Sequence, residues 1–318
     1  LNDVNLMLHV SADHKNATVI SFPRDLMLPI PSCPQPDGSS SSPMSEQQLN
    51  TTMSVGGLPC TALTIEELTG IPIPYAALIT FDGVINMSNA IGGVDVCLTQ
   101  PIDDTEYTGL YLPAGNNTLI GMDALQFLRA RHGVGDGGDT SRISNQQVFM
   151  SSLMRKVKDS NTLSDPIKVY SLAKAAVENM TFSDNMANVP FLQAVAGTVK
   201  DIDLDHINFV QYPTYTHPYQ PGRLTPDRAS ADVLLNLVKS GQAFDVATAG
   251  EGVQVEGETP AVPEDGTAPA EGETPAEGGA PTDGTTATPD PNAPVELPSN
   301  ITGQRADRQT CSAGRTVY

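Results

Sequence analysis

An α/β fold, a sheet covered by helices, is what the sequence predicts for roughly the first 245 of its 318 residues. Two observations carry that expectation. Residues 4–10 (VNLMLHV), 17–22 (ATVISF), 94–98 (VDVCL) and 206–212 (HINFVQY) are short apolar runs of strand length, several rich in β-branched side chains. Over residues 75–98 a strand, a helical segment and a second strand follow one another, the order expected of a sheet with helices laid on it.

Taken in order, the strands at 4–10 and 17–22 are joined by a turn over 13–16 and form a hairpin or close neighbours. Pro23-Arg24-Asp25 follows at once. Proline stops the ladder, so Arg24 stands at a strand end, where α/β folds tend to place their chemistry. The same dipeptide is also the pattern of a surface ion pair. Residues 29–44 read as a loop. A helix over 46–55 closed by Gly56-Gly57 and a second over 61–69 ended by Gly70 come next. Residues 75–80 form a strand. Asp82 then caps a helix over 83–91 whose buried side is Val84, Ile85, Met87 and Ile91. After the strand at 94–98, Asp103 and Asp104 read as a solvated loop pair. Residues 147–157, 166–177 and 187–199 are helical, and 226–238 is a last helix with Pro226 at its start. The apolar supply on these helices exceeds what a small sheet needs, which fits either a thick core or an apolar pocket.

The stretch 121–147, GMDALQFLRARHGVGDGGDTSRISNQQ, concentrates the chemistry. The chain has 17 Lys and Arg against 37 Asp and Glu, yet Arg129, Arg131 and Arg142 fall together here. Guanidinium groups match phosphate or carboxylate oxygens two at a time, so such a knot in an acidic chain points to a gripped anion. Met122, Leu125 and Leu128 have helical spacing. In a continuing helix Arg129 and Arg131 diverge by roughly 200°, whereas in an extended segment they share a face. A helix ending near Leu128 therefore aims both into one cavity. The glycines at 133, 135, 137 and 138 let the chain fold back and bring Asp139 and Arg142 to the same place. The competing reading is a solvated helix end with cations set against its dipole.

A net charge of −20 argues against nucleic acid as a partner. Cys33, Cys60, Cys97 and Cys311 lie far apart without C-x-x-C spacing, which argues against zinc. Their even number suggests two disulfides and a compartment outside the cytoplasm, with buried free thiols as the alternative. Cys33 and Cys60 flank a polar loop and are the first pairing, leaving Cys97 with Cys311. No run reaches the ~18–20 apolar residues of a membrane span, and no signal peptide is recognisable. The abrupt opening, Leu1-Asn2-Asp3 directly before a strand, reads as a fragment whose beginning lies upstream. Residues 247–298 alternate Pro, Gly, Ala, Thr and acids without Lys or Arg, the composition of a disordered linker. Residues 299–318 regain Ile301 and Cys311, and dock through the cysteine.

Several motifs in fixed order resemble the LytR-CpsA-Psr family of Gram-positive cell envelopes, in its actinobacterial branch. They are DVNLMLHVSAD, SFPRD, IPSC with a later LPC, AIGGVDVCL, GLYLPAG, and G-x-x-AL-x-FLRARH followed by GD-x-x-R-x-x-x-QQ. The resemblance covers residue 2 to about Phe244 and marks 1–246 as the catalytic domain. It implies a three-layer α/β/α sandwich with a mixed sheet and a hydrophobic tunnel for a polyprenyl chain. It further implies an extracytoplasmic enzyme that moves a glycopolymer from a polyprenyl-pyrophosphate donor to peptidoglycan or a glycosylated surface protein. Hydrolysis of the pyrophosphate when no acceptor is present is a further implied activity, and a protein that binds the lipid or glycan without chemistry is the alternative. The implied cofactor is Mg²⁺, with Asp3 as a metal-site carboxylate. Arg24, Arg129, Arg131, Arg142 and Gln146 match the positions around the two phosphates, and Asp139 matches a partner that orients arginine. A membrane anchor and a strand carrying Asp-x-Arg are implied upstream of Leu1. Leu1 and Asn145 stand where the family commonly has Arg. For the base that takes the acceptor proton, Asp3, Asp139 and the upstream acid stay open; His132 reads as either base or structural residue.

Overall fold

The computed structural model describes residues 2–159, 165–184, 186, 188–255 and 294–315. Leu1, the 256–293 portion of the expected linker and residues 316–318 lie outside them. The strands that organise the molecule are β1 (Asn5–Val10), β2 (Ala17–Phe22), β3 (Val94–Leu98), β4 (Gly115–Leu119), β5 (Ile207–Gln211), β6 (Val253–Val255), β7 (Gly303–Arg305) and β8 (Thr310–Ser312). The principal helices are α1 (Gly57–Thr69), α2 (Phe81–Ala90), α3 (Met122–Arg129), α4 (Asp139–Asp159), α5 (Pro166–Asn179), α6 (Val189–Asp201) and α7 (Arg228–Ser240).

Two mixed four-stranded sheets result. The first has the order β1-β2-β5-β7, antiparallel at both edges and parallel between β2 and β5. The second, β6-β8-β3-β4, repeats that pattern, with β8 parallel to β3. Side chains explain the placement. Every residue of β5 is buried, as a central strand covered on both faces requires. The edge strand β1 instead alternates, with Asn5 and Met7 buried and Leu6 and Leu8 exposed. One core joins the first sheet to α1 and α7 through Ile20, Phe22, Ile65, Leu234 and Val238. A second joins the other sheet to α3 and α4 through Val96, Leu119, Phe127 and Phe149. Helix α4 touches strands of both sheets, so the residues it carries are fixed from two sides.

The chain's C-terminal residues complete both sheets. β7 pairs with β5, while β8 inserts between β6 and β3 with Cys311 directly opposite Cys97. Those two cysteines are disulfide-bonded, as are Cys33 and Cys60. Val253–Val255 and Val295–Glu296 are strands, although both fall inside the 247–298 stretch expected to lack structure. Two β-branched residues in three suffice for a strand where a partner edge is waiting, and the surrounding composition masks them.

Three other expectations are corrected. In place of a helix from 46, Met44–Gln48 is a strand on Met27–Ile30, followed by a 3-10 turn at Leu49–Thr51, and α-helix occupies only Thr52–Val55. The apolar positions at 46–55 are too few to hold a helix against the free edge of the buried Met27, Leu28 and Ile30. α2 starts at Phe81, capped not by Asp82 but by Thr80, whose hydroxyl accepts from Gly83 N at 3.1 Å. Pro226 ends the strand Leu224–Pro226, and Asp227 caps α7.

Candidate functional site

The helix α3 gives out at Arg129, one residue beyond the expected end, because Ala130 is extended (φ −58°, ψ 130°). Helix ends leave carbonyls without intrahelical partners. Two of them are taken by side chains from α4: Asn145 Nδ2 donates to Phe127 O at 2.9 Å and Gln146 Nε2 to Leu128 O at 2.8 Å. Asn145 is in turn fixed by Ser312 of β8, whose hydroxyl donates to Asn145 Oδ1 at 2.6 Å. With the end held, Arg129 and Arg131 line one cavity. The Arg129 guanidinium lies 4.6 Å from the Phe81 ring centroid.

The glycine loop then turns the chain back. Gly133 N donates to Asp104 Oδ1 at 2.9 Å, and Gly135 (φ 49°) and Gly137 (φ 84°) adopt left-handed backbone. A Cβ on Gly135 would stand 2.9 Å from Ser141 Cβ, so nothing larger fits. α4 opens on Asp139, and Arg142 one turn later ion-pairs with it. Arg24 arrives from the end of β2. Its Nη1 donates to Asp3 Oδ1 at 2.7 Å, and its Nε lies 3.6 Å from Asp139 Oδ1 and 3.5 Å from Asp25 Oδ2. Arg142 Nη2 donates to Asp3 O at 3.1 Å. Residues more than a hundred positions apart thus meet around Asp139.

Burial weighs on this cluster. It pushes the Asp139 carboxyl up against the opposing charges of Arg142 and Arg24, and pulls the Arg142 guanidinium down against that of Asp139. Arg24 ends above its ordinary value: burial works against its charge, but Asp3, Asp139 and Asp25 outweigh it. The Nε–H groups of Arg24 and Arg142 are buried and hydrogen-bonded to no described residue. Both Asp139 oxygens are likewise buried without a hydrogen-bond partner among the described residues, and unsatisfied buried polar groups are costly.

The cavity measures about 1120 Å³. Its polar lining includes Asp3, Arg24, Arg129, Arg131, Arg142 and Gln146. Its apolar lining comes from α2 (Val84, Met87) and Ile91 just past its end, α4 (Leu153, Val157), α5 (Leu172, Ala176) and α6 (Leu192, Val195, Val199). Of the face expected in the core, Val84, Met87 and Ile91 are thus half-buried cavity wall and Ile85 is half-buried outside it, and α6 has no fully buried residue. Surplus apolar residues on these helices serve a pocket, not a thicker core.

Every site residue read from the sequence except Asp139 and the cysteines lines this cavity. Asp139 lies outside that lining, paired with Arg142 and 3.6 Å from Arg24 Nε. Gln146, expected at the phosphates, lines the cavity and donates its amide to Leu128 O at the helix end. Three residues escaped the sequence reading. Asp104 is 2 % exposed, not a solvated loop residue. Tyr107 stacks on His132 with ring centroids 3.6 Å apart, and Phe81 carries Arg129. No local pattern marks them, since their partners lie 25 to 48 positions away. Among the described residues no group of three or more His, Cys, Asp or Glu is placed to hold a metal by itself. Asp3, with a side chain 35 % exposed in the cavity lining, suits Mg²⁺ only as one ligand beside phosphate oxygens.

The profile of the LytR_cpsA_psr family matches residues 2–232. The cell wall biosynthesis protein LcpA of Corynebacterium glutamicum is 30% identical over 213 residues, 61% of this chain and 41% of LcpA. The polyisoprenyl-teichoic acid–peptidoglycan teichoic acid transferase TagV of Bacillus subtilis is 24% identical over 232 residues, 71% of this chain and 56% of TagV. The chain therefore spans between two fifths and somewhat over half of these curated relatives. Among solved structures, a LytR-Csp2A-Psr enzyme from Actinomyces oris superposes with a TM-score of 0.60 at 24% identity, over 74% of this chain and 85% of that one. TagT bound to LI-WTA gives 0.56 at 18% identity, over 74% and 83%. These likenesses establish a mixed α/β fold with mixed sheets.

Proposed function

The chain belongs to the LytR_cpsA_psr family, and from that premise we propose that it is an envelope glycopolymer phosphotransferase. In this reading residues 1–246, completed by the C-terminal strands, form a three-layer α/β/α catalytic unit around a polyprenyl tunnel on the outer face of the membrane. The donor is a polyprenyl-pyrophosphate-linked glycan, and the acceptor is a hydroxyl of peptidoglycan or a glycosylated surface protein. The single observation that supports it is that one cavity carries both an apolar wall and four arginines. At about 1120 Å³ it exceeds the ~300–1,000 Å³ of ordinary small-molecule pockets. Each buried methylene of an isoprenoid tail contributes roughly 0.8 kcal/mol, so the wall from α2, α4, α5 and α6 anchors the donor. That anchoring leaves the diphosphate at the guanidiniums.

The chemistry follows from charge. The acceptor oxygen attacks the phosphorus that bears the glycan, and the bond to the polyprenyl phosphate breaks with its electron pair on the departing oxygen. Arg24, Arg129, Arg131 and Arg142 stabilise that growing charge where water is excluded. Asp139 and Asp3 hold Arg24 and Arg142 in position, so little reorganisation is needed as charge moves. Asp3 would also hold Mg²⁺ together with the phosphates, and the ion when bound neutralises phosphate charge. When no acceptor is present, water in its place yields pyrophosphate hydrolysis.

The test supplies a short-chain polyprenyl-pyrophosphate saccharide, Mg²⁺ and peptidoglycan fragments to the purified chain. Release of polyprenyl monophosphate with covalent saccharide on the fragment is the expected result. Tight donor binding with neither release nor transfer points instead to a carrier that does no chemistry.

A further inference from the structure

We propose that His132 is the general base that takes the acceptor's proton, with Asp104 as its positioning residue. The proposal rests on the phosphotransferase reading above and assigns a role that reading leaves open. The other carboxylates at the cluster are poorly suited to it. Asp139 is held between Arg142 and Arg24 and does not line the cavity. Asp3 accepts from Arg24 at 2.7 Å, so its Oδ1 is already engaged. His132 does line the cavity, with 32 % of its side chain exposed, beside Arg131.

Its surroundings have the order of a base and its orienter. On one side the ring nitrogen Nε2 stands 3.1 Å from Arg131 Nη2. On the other, Nδ1 lies 3.9 Å from Oδ1 of Asp104, whose side chain is fully buried. Asp104 cannot swing away, because Gly133 N and Thr108 Oγ1 donate to its two oxygens at 2.9 and 2.7 Å. Arginine only donates, so Nε2 accepts from Arg131 Nη2 and the ring proton sits on Nδ1, on the Asp104 side. Tyr107, stacked at 3.6 Å, fixes the ring plane. The charged groups beside the imidazole are thus Arg131 on its own segment and Asp104 on the hairpin strand Ile102–Asp104, with the Tyr107 phenol stacked on the ring.

When the diphosphate draws Arg131 onto its oxygens, Nε2 is released toward the cavity. The acceptor O–H proton passes to Nε2 as the new O–P bond forms and the bond to the polyprenyl phosphate breaks. The proton returns to water when the products leave.

The experiment compares the whole chain with His132→Gln, His132→Phe and Asp104→Asn. It follows saccharide transfer across pH and, separately, binding of polyprenyl monophosphate. His132→Phe keeps the stack on Tyr107 and removes the nitrogens, so it separates packing from proton transfer. Both His132 variants are expected to lose about 10²–10⁴ in transfer rate while still binding the lipid, and to lose the acidic limb of the pH profile. Asp104→Asn is expected to lower kcat for transfer while leaving the donor KM and lipid binding unchanged, the mark of a positioning role. Transfer by the His132 variants within about twofold of wild type, or a slower rate with the acidic limb unmoved, overturns the assignment. A wild-type chain that transfers nothing under any condition overturns the underlying reading instead, so the two failures are distinct.

Discussion

Replacing Arg131 by Ala lowers turnover on a polyprenyl-pyrophosphate-linked saccharide by about 10²–10³, the loss of roughly 3–4 kcal/mol that follows removal of one fixed donor from a charge-stabilising site. The effect falls on rate more than on folding, because the guanidinium faces the cavity and has no carboxylate partner among the described ion pairs. Arg131→Lys is expected to recover only part of the activity. The charge survives, but the planar fork that meets two oxygens at once does not. Steady-state rates of the two variants, with circular dichroism to verify the fold, check this. Wild-type turnover in Arg131→Ala removes Arg131 from the site.

Arg142→Ala has the larger structural effect. Arg142 and Asp139 form a pair whose side chains are only 6 % and 11 % exposed. Removing one partner of a buried pair leaves the other's charge uncompensated, which costs about 3–5 kcal/mol. Arg24, 3.6 Å from Asp139, offsets part of that, so the lower end of the range is expected. Urea denaturation measures it. The double variant Arg142→Met, Asp139→Asn removes both charges and is expected to regain most of the stability without regaining transfer. Should Arg142→Ala prove as stable as wild type, the pair contributes little to holding α4 against the sheets.

Much of this was legible in the sequence, for physical reasons that differ by element. Ala17–Phe22 and Val94–Leu98 coincide with their strands because β-branched runs between turn residues have few alternatives. The end of α3 was readable within one residue, since R-x-R can serve one cavity only if the helix stops between them. Arg24 was placed at a strand end by Pro23 alone. What stayed hidden depended on partners distant in sequence. Asp104 and Asp103 are neighbours of identical type, yet only Asp104 is buried, because Gly133 N donates to it across 29 positions. Nothing local announces that Asn145 belongs to Phe127 O and Ser312 rather than to solvent. The wall residues Val84, Met87 and Ile91 have the periodicity of a core-facing helix, and periodicity alone does not tell a core from a cavity.

The central claim is that one cavity holds an isoprenoid tail along its apolar wall while arginines hold its phosphate. Native mass spectrometry of the folded chain incubated with polyprenyl monophosphate addresses it most directly. One lipid per wild-type chain is expected, with uptake lost both when Leu172 and Leu192 are replaced by Asp and when Arg129 and Arg131 are replaced by Ala. A folded wild-type chain that takes up no lipid, or one whose uptake ignores both sets of substitutions, contradicts it.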